Sequence, residues 1–227
     1  QYTLAELTSL CNELTDQLNA LSDSLDRDSD GLADMGKDLQ DRARTAMFSL
    51  GTTYPELSGY YPQPKGLLFP AFLSVQNLSG IYSPFTIEAN YNSAMVSYNL
   101  PFTICHEFSH LRGFMQEEEA NFIGFLACVN ADDTAFNYSG YLLGWIYATN
   151  ELYEVDYDTF EEIYNRLSDN VKADLSANSS FWKRYDSKVA EVSGQINDHY
   201  LKANGQSDGI KSYDRMVDLM ITWFRSK

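Results

Sequence analysis

The stretch His106-Glu107-Phe108-Ser109-His110 has the pattern H-E-x-x-H, and the rest of the chain is interpreted from it. Two of the three histidines of the chain lie in these five residues. Residues four apart on an α-helix lie on one face, about 6 Å apart along the axis, so both imidazoles can reach one ion. The pattern therefore predicts a helix that carries a zinc site, with Glu107 beside the metal. The alternative is a polar helix face with two histidines at the edge of the core.

The sequence around this motif predicts one helix over residues 101–112 and another over 116–130. Asn99 is the expected N-cap of the first helix, with Pro101 in the first turn, where proline is tolerated. A straight helix would place Glu117 about 10 Å along the axis from His110, too far to share an ion. Gly113 is expected to end the first helix, because glycine readily adopts the left-handed conformation. The second helix would then fold back.

A catalytic zinc needs three protein ligands and one open position, and the third ligand is suggested by a resemblance. Gluzincin-type peptidases combine H-E-x-x-H with a glutamate on a second helix, often within E-x-E-A-D or E-x-x-x-D. Glu117-Glu118-Glu119-Ala120-Asn121 resembles that pattern, with Asn in place of the final Asp. The resemblance implies that Glu117 is the third ligand and that Asn121 orients a ligand histidine. Glu119 is the alternative third ligand.

The chain also resembles, more narrowly, an uncharacterised bacterial family of membrane-anchored, zincin-like domains of unknown function. The resemblance covers about residues 30–225 and is carried by residues 79–90, 101–107, 119–122, 200–205 and 212–217. It implies an α+β fold, predominantly helical and zincin-like, with an active-site helix and a small sheet. It also implies that the full-length protein is anchored in a membrane and that this soluble domain is extracytoplasmic.

The motif and the gluzincin resemblance predict a zinc metallopeptidase, a hydrolase that acts on a peptide or protein substrate. Zinc held by His106, His110 and Glu117 would lower the pKa of its water toward ~7 and polarise the scissile carbonyl. Glu107 would act as general base and pass the proton to the leaving amine. The alternative function is a zinc-containing sensory or binding module of a membrane-anchored protein, without hydrolytic activity.

Peptide hydrolysis also needs a hydrogen-bond donor for the oxyanion and a place for the substrate. Gluzincins take this donor from a downstream His or Tyr. The candidates are His199, Tyr200, Tyr213 and Arg215. Tyr213 is favoured because Ser212-Tyr213 opens the last predicted helix. Residues 86–91 resemble a zincin edge strand, which would bind an extended peptide by strand addition.

The composition predicts a globular domain rather than a nucleic-acid-binding or membrane-spanning one. The net charge of −16 argues against nucleic acid and against an anionic membrane surface. No stretch approaches the ~18–20 apolar residues of a membrane span. Because Gln1 opens directly into a helical pattern, we expect the chain to be a fragment of a longer protein. Cys11, Cys105 and Cys128 cannot all pair, and the last two are expected to be small buried residues.

The first 30 residues predict an amphipathic helix followed by an acidic turn, ahead of a metallopeptidase domain over 31–227. Apolar residues recur every three or four positions at Leu4, Leu7, Cys11, Leu14, Leu18, Leu21 and Leu25. We expect this stripe to pack on the domain; a coiled-coil stem is the alternative.

The acidic turn at 26–31 matches the first half of a calcium loop, D-x-D-x-D-G, through Asp26, Asp28 and Asp30. Lys37 occupies the position of the bidentate glutamate, so Ca²⁺ is the less favoured interpretation there. A plain turn with Gly31 at positive φ is preferred.

The remaining elements are read from periodicity and composition. Aromatic and β-branched residues with Gly, Pro and Asn breaks predict a small sheet within 66–98. Further helices are predicted over 34–50, 134–152, 158–168, 180–203 and 211–225.

Overall fold

The structure is a computed structural model that describes residues 2–186 and 214–227. These residues are predominantly helical with one three-stranded sheet, which confirms the predicted α+β class. The helices are α1 (Leu4–Ser22), α2 (Leu39–Thr53), α3 (Pro70–Val75), α4 (Asn99–Leu111), α5 (Glu117–Val129), α6 (Thr134–Val155), α7 (Tyr157–Arg166), α8 (Asp169–Lys183) and α9 (Asp214–Arg225). The strands are β1 (Lys65–Gly66), β2 (Gly80–Ser83) and β3 (Glu88–Tyr91). No helix in the described ranges is long and apolar enough to cross a membrane.

Helix α1 is part of the main core. Its stripe residues Leu7, Leu14 and Leu18 are buried, and the helix packs chiefly on α6. The two helices are also joined by a hydrogen bond from Trp145 Nε1 to Thr15 Oγ1 at 2.9 Å. One apolar cluster includes residues of α1, α4, α5, α6 and α9, so the prediction that the stripe packs on the domain is confirmed. The division of the chain at residue 30 stays a prediction.

The acidic segment after α1 is a tight turn. Asp28 Oδ1 accepts hydrogen bonds from the backbone N–H groups of Asp30 and Leu32, both at 2.9 Å, and Gly31 has φ +76°. Arg27 pairs at 2.8 Å with the buried Asp174, which ties the turn to α8. Within residues 2–186 and 214–227, the Asp26, Asp28 and Asp30 carboxylates do not form a group that could hold a metal ion. The hydrogen bonds to Asp28 and the positive φ of Gly31 are those of a plain turn.

Helix α4 is the central element and packs on α5, α6 and the sheet. Its side chains Ile104, Cys105 and Phe108 are fully buried. Helix α5 approaches α4 closely at Gly124, where an added Cβ would lie 3.3 Å from the backbone nitrogen of His106. This contact fixes the distance between the two helices that carry the predicted ligands.

The sheet has the order β1-β3-β2, with β1 parallel and β2 antiparallel to β3. Residues 86–91 were predicted to form an edge strand, and this is wrong: β3 is central, because β1 covers its other side through Lys65↔Asn90 pairing. The edge strand that lies beside α4 is β2, and its register with β3 runs from Gly80↔Tyr91 to Ser83↔Glu88.

Several element boundaries differ from the predictions. Helix α2 starts at Leu39 rather than 34, because Gly36 and Asp38 take positive φ values and form a turn. Asn99 is not an N-cap; it is the first residue of α4 and donates through Nδ2 to Asn178 Oδ1 at 2.9 Å. Helices α3 and most of α8 were not predicted. The predicted segments beyond residue 186 and before 214 lie outside the described residues.

Candidate metal centre

The H-E-x-x-H motif lies in the C-terminal half of α4, and its two histidines converge. His106 Nε2 and His110 Nε2 are 3.1 Å apart. Helix α4 ends at Leu111, where Gly113 has φ +92° and the Phe114 N–H bonds back to the Ser109 carbonyl at 3.2 Å. The predicted break at Gly113 is confirmed, and it turns the chain into α5.

Glu117 is the first residue of α5, and its carboxylate faces both imidazoles. Oε2 lies 3.4 Å from His106 Nε2, and Oε1 lies 3.6 Å from His110 Nε2. A tetrahedral ion with bonds of about 2.0–2.1 Å separates neighbouring ligand atoms by about 3.3 Å. The separation of the two imidazole nitrogens, 3.1 Å, lies near that value, and each imidazole has its own Glu117 oxygen at 3.4–3.6 Å. These residues form a group that could hold a metal ion, and no other group of that kind occurs within the described ranges.

The outward nitrogens of the two histidines have different environments. His110 Nδ1 lies 2.8 Å from the Phe114 carbonyl oxygen, so it carries the proton and donates it there, which leaves the Nε2 lone pair free for a metal. His106 Nδ1 and Asn121 Nδ2 are both buried without a partner of acceptable geometry. Asn121 lies one turn after Glu117, and its side chain is among the groups that raise the pKa of His106, after the carboxylates of Glu117 and Glu107. An Asn121 amide turned to present Oδ1 to His106 would accept the Nδ1 proton, because an amide oxygen is a hydrogen-bond acceptor.

Glu107 lies beside the three candidate ligands and is not one of them. Its side chain is 4% exposed, and Oε2 is buried without a hydrogen-bond partner. Burial raises the pKa of Glu107 to about 8; the neighbouring charge of His106 opposes this rise, and that of Glu117 adds to it. A buried carboxylate without a partner costs free energy, so the protein keeps Glu107 here at the expense of stability.

The charges of the ligands influence one another. Burial and the nearby His106 lower the pKa of His110 to about 4, so this imidazole is neutral at pH 7, as a metal ligand requires. Burial acts to lower the pKa of His106 and to raise that of Glu117, but their mutual hydrogen bond and charges outweigh it in both. The pKa of His106 is therefore raised and that of Glu117 lowered, as in an ion pair. A bound metal cation would take the place of the proton on His106 in that pair.

The other acidic residues at the start of α5 have different surroundings. Glu119 is exposed, whereas Glu118 is buried and accepts from Arg215 Nη1 of α9 at 3.2 Å. Glu117 is thus the member of the triplet that meets the histidines. Arg215, one of the four candidate oxyanion donors, is paired with Glu118. The other three candidates, His199, Tyr200 and Tyr213, lie outside the described residues.

Two residues of β2 adjoin the site, and neither was predicted as part of it. A Cβ at Gly80 would lie 2.9 Å from both Cγ and Cδ of Glu107, and closer still to Oε1. The ring centroid of Tyr82 is 6.3 Å from that of His110. Residues two apart on a strand share a face. The sequence could therefore have predicted that these two side chains lie side by side, but not that they pack against α4.

A known protein family matches nearly the whole chain. The family model described as "Protein of unknown function (DUF3810)" matches residues 1–221. No curated protein and no solved structure matches the chain. Because the match spans nearly all of the sequence, this protein belongs to the DUF3810 family of unknown function.

Proposed function

We propose that this protein is a zinc metallopeptidase of gluzincin type. The observation that carries the proposal is the convergence of His106, His110 and Glu117 beside a fourth, buried side chain, the carboxylate of Glu107. Two imidazole nitrogens and one carboxylate oxygen form the donor set of catalytic zinc sites that keep a fourth position open.

The residues present fit zinc in number, type and spacing. His110 offers Nε2 because its other nitrogen is held by the Phe114 carbonyl, and Glu117 supplies a negative charge that compensates the cation. When bound, zinc supplies Lewis-acid polarisation of the scissile carbonyl and lowers the pKa of water in its open position.

Glu107 is the general base in this proposal. It follows a ligand histidine directly in sequence, and its side chain lies against Gly80 rather than among the ligand atoms. A nearby cation would offset the burial that raises its pKa, so the carboxylate could accept a proton from water and then donate it to the leaving amine. A purely structural site has no use for such a buried charge, and this favours an enzyme over a sensory module.

The edge strand β2 offers a place for an extended peptide. Asn92 N–H bonds to the Ser79 carbonyl at 2.8 Å, so in the alternating antiparallel pattern Ser79 and Ile81 exchange hydrogen bonds with β3. The backbone N–H and C=O groups of Gly80 and Tyr82 therefore point away from β3, where a substrate strand can add. Because Gly80 and Tyr82 adjoin Glu107 and His110, such a strand would run along the site.

The charge distribution suggests the kind of peptide. No Asp or Glu occurs between residues 57 and 87, although the chain has 32 of them. The large apolar side chains Leu68, Phe69, Phe72, Ile81 and Phe85 are exposed in this stretch. We therefore expect uncharged, apolar segments to be preferred over basic ones, despite the net charge of −16.

The test compares the zinc-loaded protein with its Glu107→Gln variant on a mixed peptide library read by mass spectrometry. Glutamine keeps the shape of Glu107 and leaves the ligands untouched, so zinc content should stay the same while cleavage falls by about 10²–10⁴-fold. Equal cleavage by both proteins would exclude Glu107 as the base. A zinc-loaded wild type that cleaves nothing would favour the binding or sensory module.

A further inference from the structure

We infer that Gly80 is a positioning residue for Glu107. Because Gly80 has no side chain, the Glu107 carboxylate can occupy the space that a Cβ would fill. The inference rests on the proposed function, since it concerns the base of that reaction. It assigns to β2 a part in catalysis besides binding the substrate backbone.

The contact between Gly80 and Glu107 is specific. The three atoms that an added Cβ would meet first are Oε1, Cδ and Cγ of Glu107, and no ligand atom is among them. Two carbon atoms at 2.9 Å from a Cβ lie well inside ordinary van der Waals contact. An alanine methyl group at residue 80 would therefore force the Glu107 carboxylate out of its observed position.

The backbone at Gly80 does not require glycine. The described glycines with positive φ are Gly31, Gly36, Gly59 and Gly113, and Gly80 is not one of them. An alanine there would fit the strand without backbone strain. The three atoms that exclude a Cβ most closely at this position all belong to Glu107.

Glu107, rather than the backbone, is expected to yield to an added methyl group. At Gly124 an added Cβ would meet the backbone of His106 and Phe102, so a substitution there would separate α4 from α5. At Gly80 it would meet one side chain, that of Glu107 from Cγ outward, and this side chain can rotate to another rotamer. Gly80→Ala should therefore leave the fold and the three ligands in place and turn the base away from the site.

The sheet contains a matched control. Gly66 of β1 lies in the same register row as Gly80, since both pair with Tyr91 of β3. An added Cβ at Gly66 would meet the Tyr91 phenol ring and Ser93 Cβ at 3.3 Å, and no atom of Glu107 is among its nearest neighbours. Gly66→Ala thus tests a glycine-to-alanine change in this sheet without touching the base.

The first measurement is peptide hydrolysis with zinc content and thermal stability recorded alongside. Gly80→Ala should lower kcat by about 10²-fold or more, the contribution of a positioned base, with KM, zinc content and melting temperature unchanged. Gly66→Ala should keep the wild-type kcat. In a Glu107→Gln background, Gly80→Ala should cause no further loss, because both changes act on one group. Wild-type kcat in Gly80→Ala, or additive losses in the double variant, would overturn the inference.

The second measurement does not depend on activity. Acetohydroxamic acid chelates zinc through two oxygens and has a proton that a neighbouring carboxylate can accept. Its affinity for the zinc-loaded protein should fall by the same factor, about tenfold, in Gly80→Ala and Glu107→Gln, as for one charge-assisted hydrogen bond. Gly66→Ala should bind it like the wild type. If the wild type hydrolyses nothing but this pattern holds, the proposed peptidase fails and the role of Gly80 stands; unchanged affinity in Gly80→Ala overturns that role.

Discussion

Replacing Glu117 with glutamine is expected to release the metal without unfolding the protein. The change removes the negative charge and keeps the size of the side chain, which is partly exposed at the first position of α5. The two histidines would remain 3.1 Å apart, so a weak two-ligand site would persist.

The size of the loss can be bounded from the site. Removing a group that only orients a ligand costs about 10–100-fold in metal affinity, and Glu117 lies within 3.4–3.6 Å of both imidazole nitrogens as a ligand itself. The loss should therefore exceed about 100-fold, which corresponds to about 2.8 kcal/mol. Glutamine offers one neutral oxygen, so neither the charge nor the second oxygen is replaced.

The assay is competition for zinc with a chelator of known affinity, followed by elemental analysis of the protein. Glu119→Gln is the matched control, because it removes the same charge two residues away on an exposed side chain. Glu118 is unsuitable as a control, since its ion pair with Arg215 joins α5 to α9. Equal zinc retention by the Glu117 and Glu119 variants would refute the three-ligand site. Selective loss in Glu119→Gln would move the third ligand there.

Three further predictions follow from burial. Glu107 has a pKa of about 8 in the folded state against 4.5 in the unfolded one, so its contribution to the free energy of unfolding is full below about pH 4.5 and is lost as the pH rises through about 8. In urea unfolding at each pH, the chelator-treated wild type should therefore lose up to about 2 kcal/mol of unfolding free energy between about pH 6.5 and 8, relative to Glu107→Gln. Leu14→Ala, at a fully buried site, should cost about 3–5 kcal/mol of stability and lower the melting temperature by several degrees. Leu4→Ala, at a side chain that is 47% exposed, should change the melting temperature little. If Leu14→Ala leaves the melting temperature unchanged but converts a dimer to a monomer in light scattering, the helix is a coiled-coil stem. Asn121→Ala should weaken zinc binding by about 10–100-fold if its amide holds His106, and unchanged affinity would remove that role.

The parts of the site that follow from local geometry could be predicted from sequence. The spacing of His106 and His110 specifies one helix face, and Gly113 marks the only break that lets the Glu117 carboxylate return to it. Each of these features depends on residues within a dozen positions of one another. The stripe on α1 could be predicted for the same reason, because its period alone says which face is buried.

Features that depend on tertiary contacts could not be predicted. Helix α8 buries only Val171, Asp174 and Phe181, so its apolar pattern is too sparse to predict a helix from the sequence. The burial of Asp174 also depends on its ion pair with Arg27, almost 150 residues earlier. Asn99 suits an N-cap by type, but its partner Asn178 lies 79 residues later in the sequence. The proximity of Gly80 to Glu107 requires the sheet to lie on α4, which no local pattern states.

Different elements position the candidate ligands and Glu107, so mutations can change one without the other. The three candidate ligands lie on α4 and α5, whose spacing is set where Gly124 meets the backbone at His106. The proposed base, Glu107, lies on α4 as well, but its position is limited by β2 through Gly80. Changes at Gly124 should therefore alter metal affinity and stability together, since they move a ligand with its helix. Changes at Gly80 should alter the rate and leave metal affinity unchanged, because the atoms nearest to an added Cβ there belong to Glu107 and not to a candidate ligand.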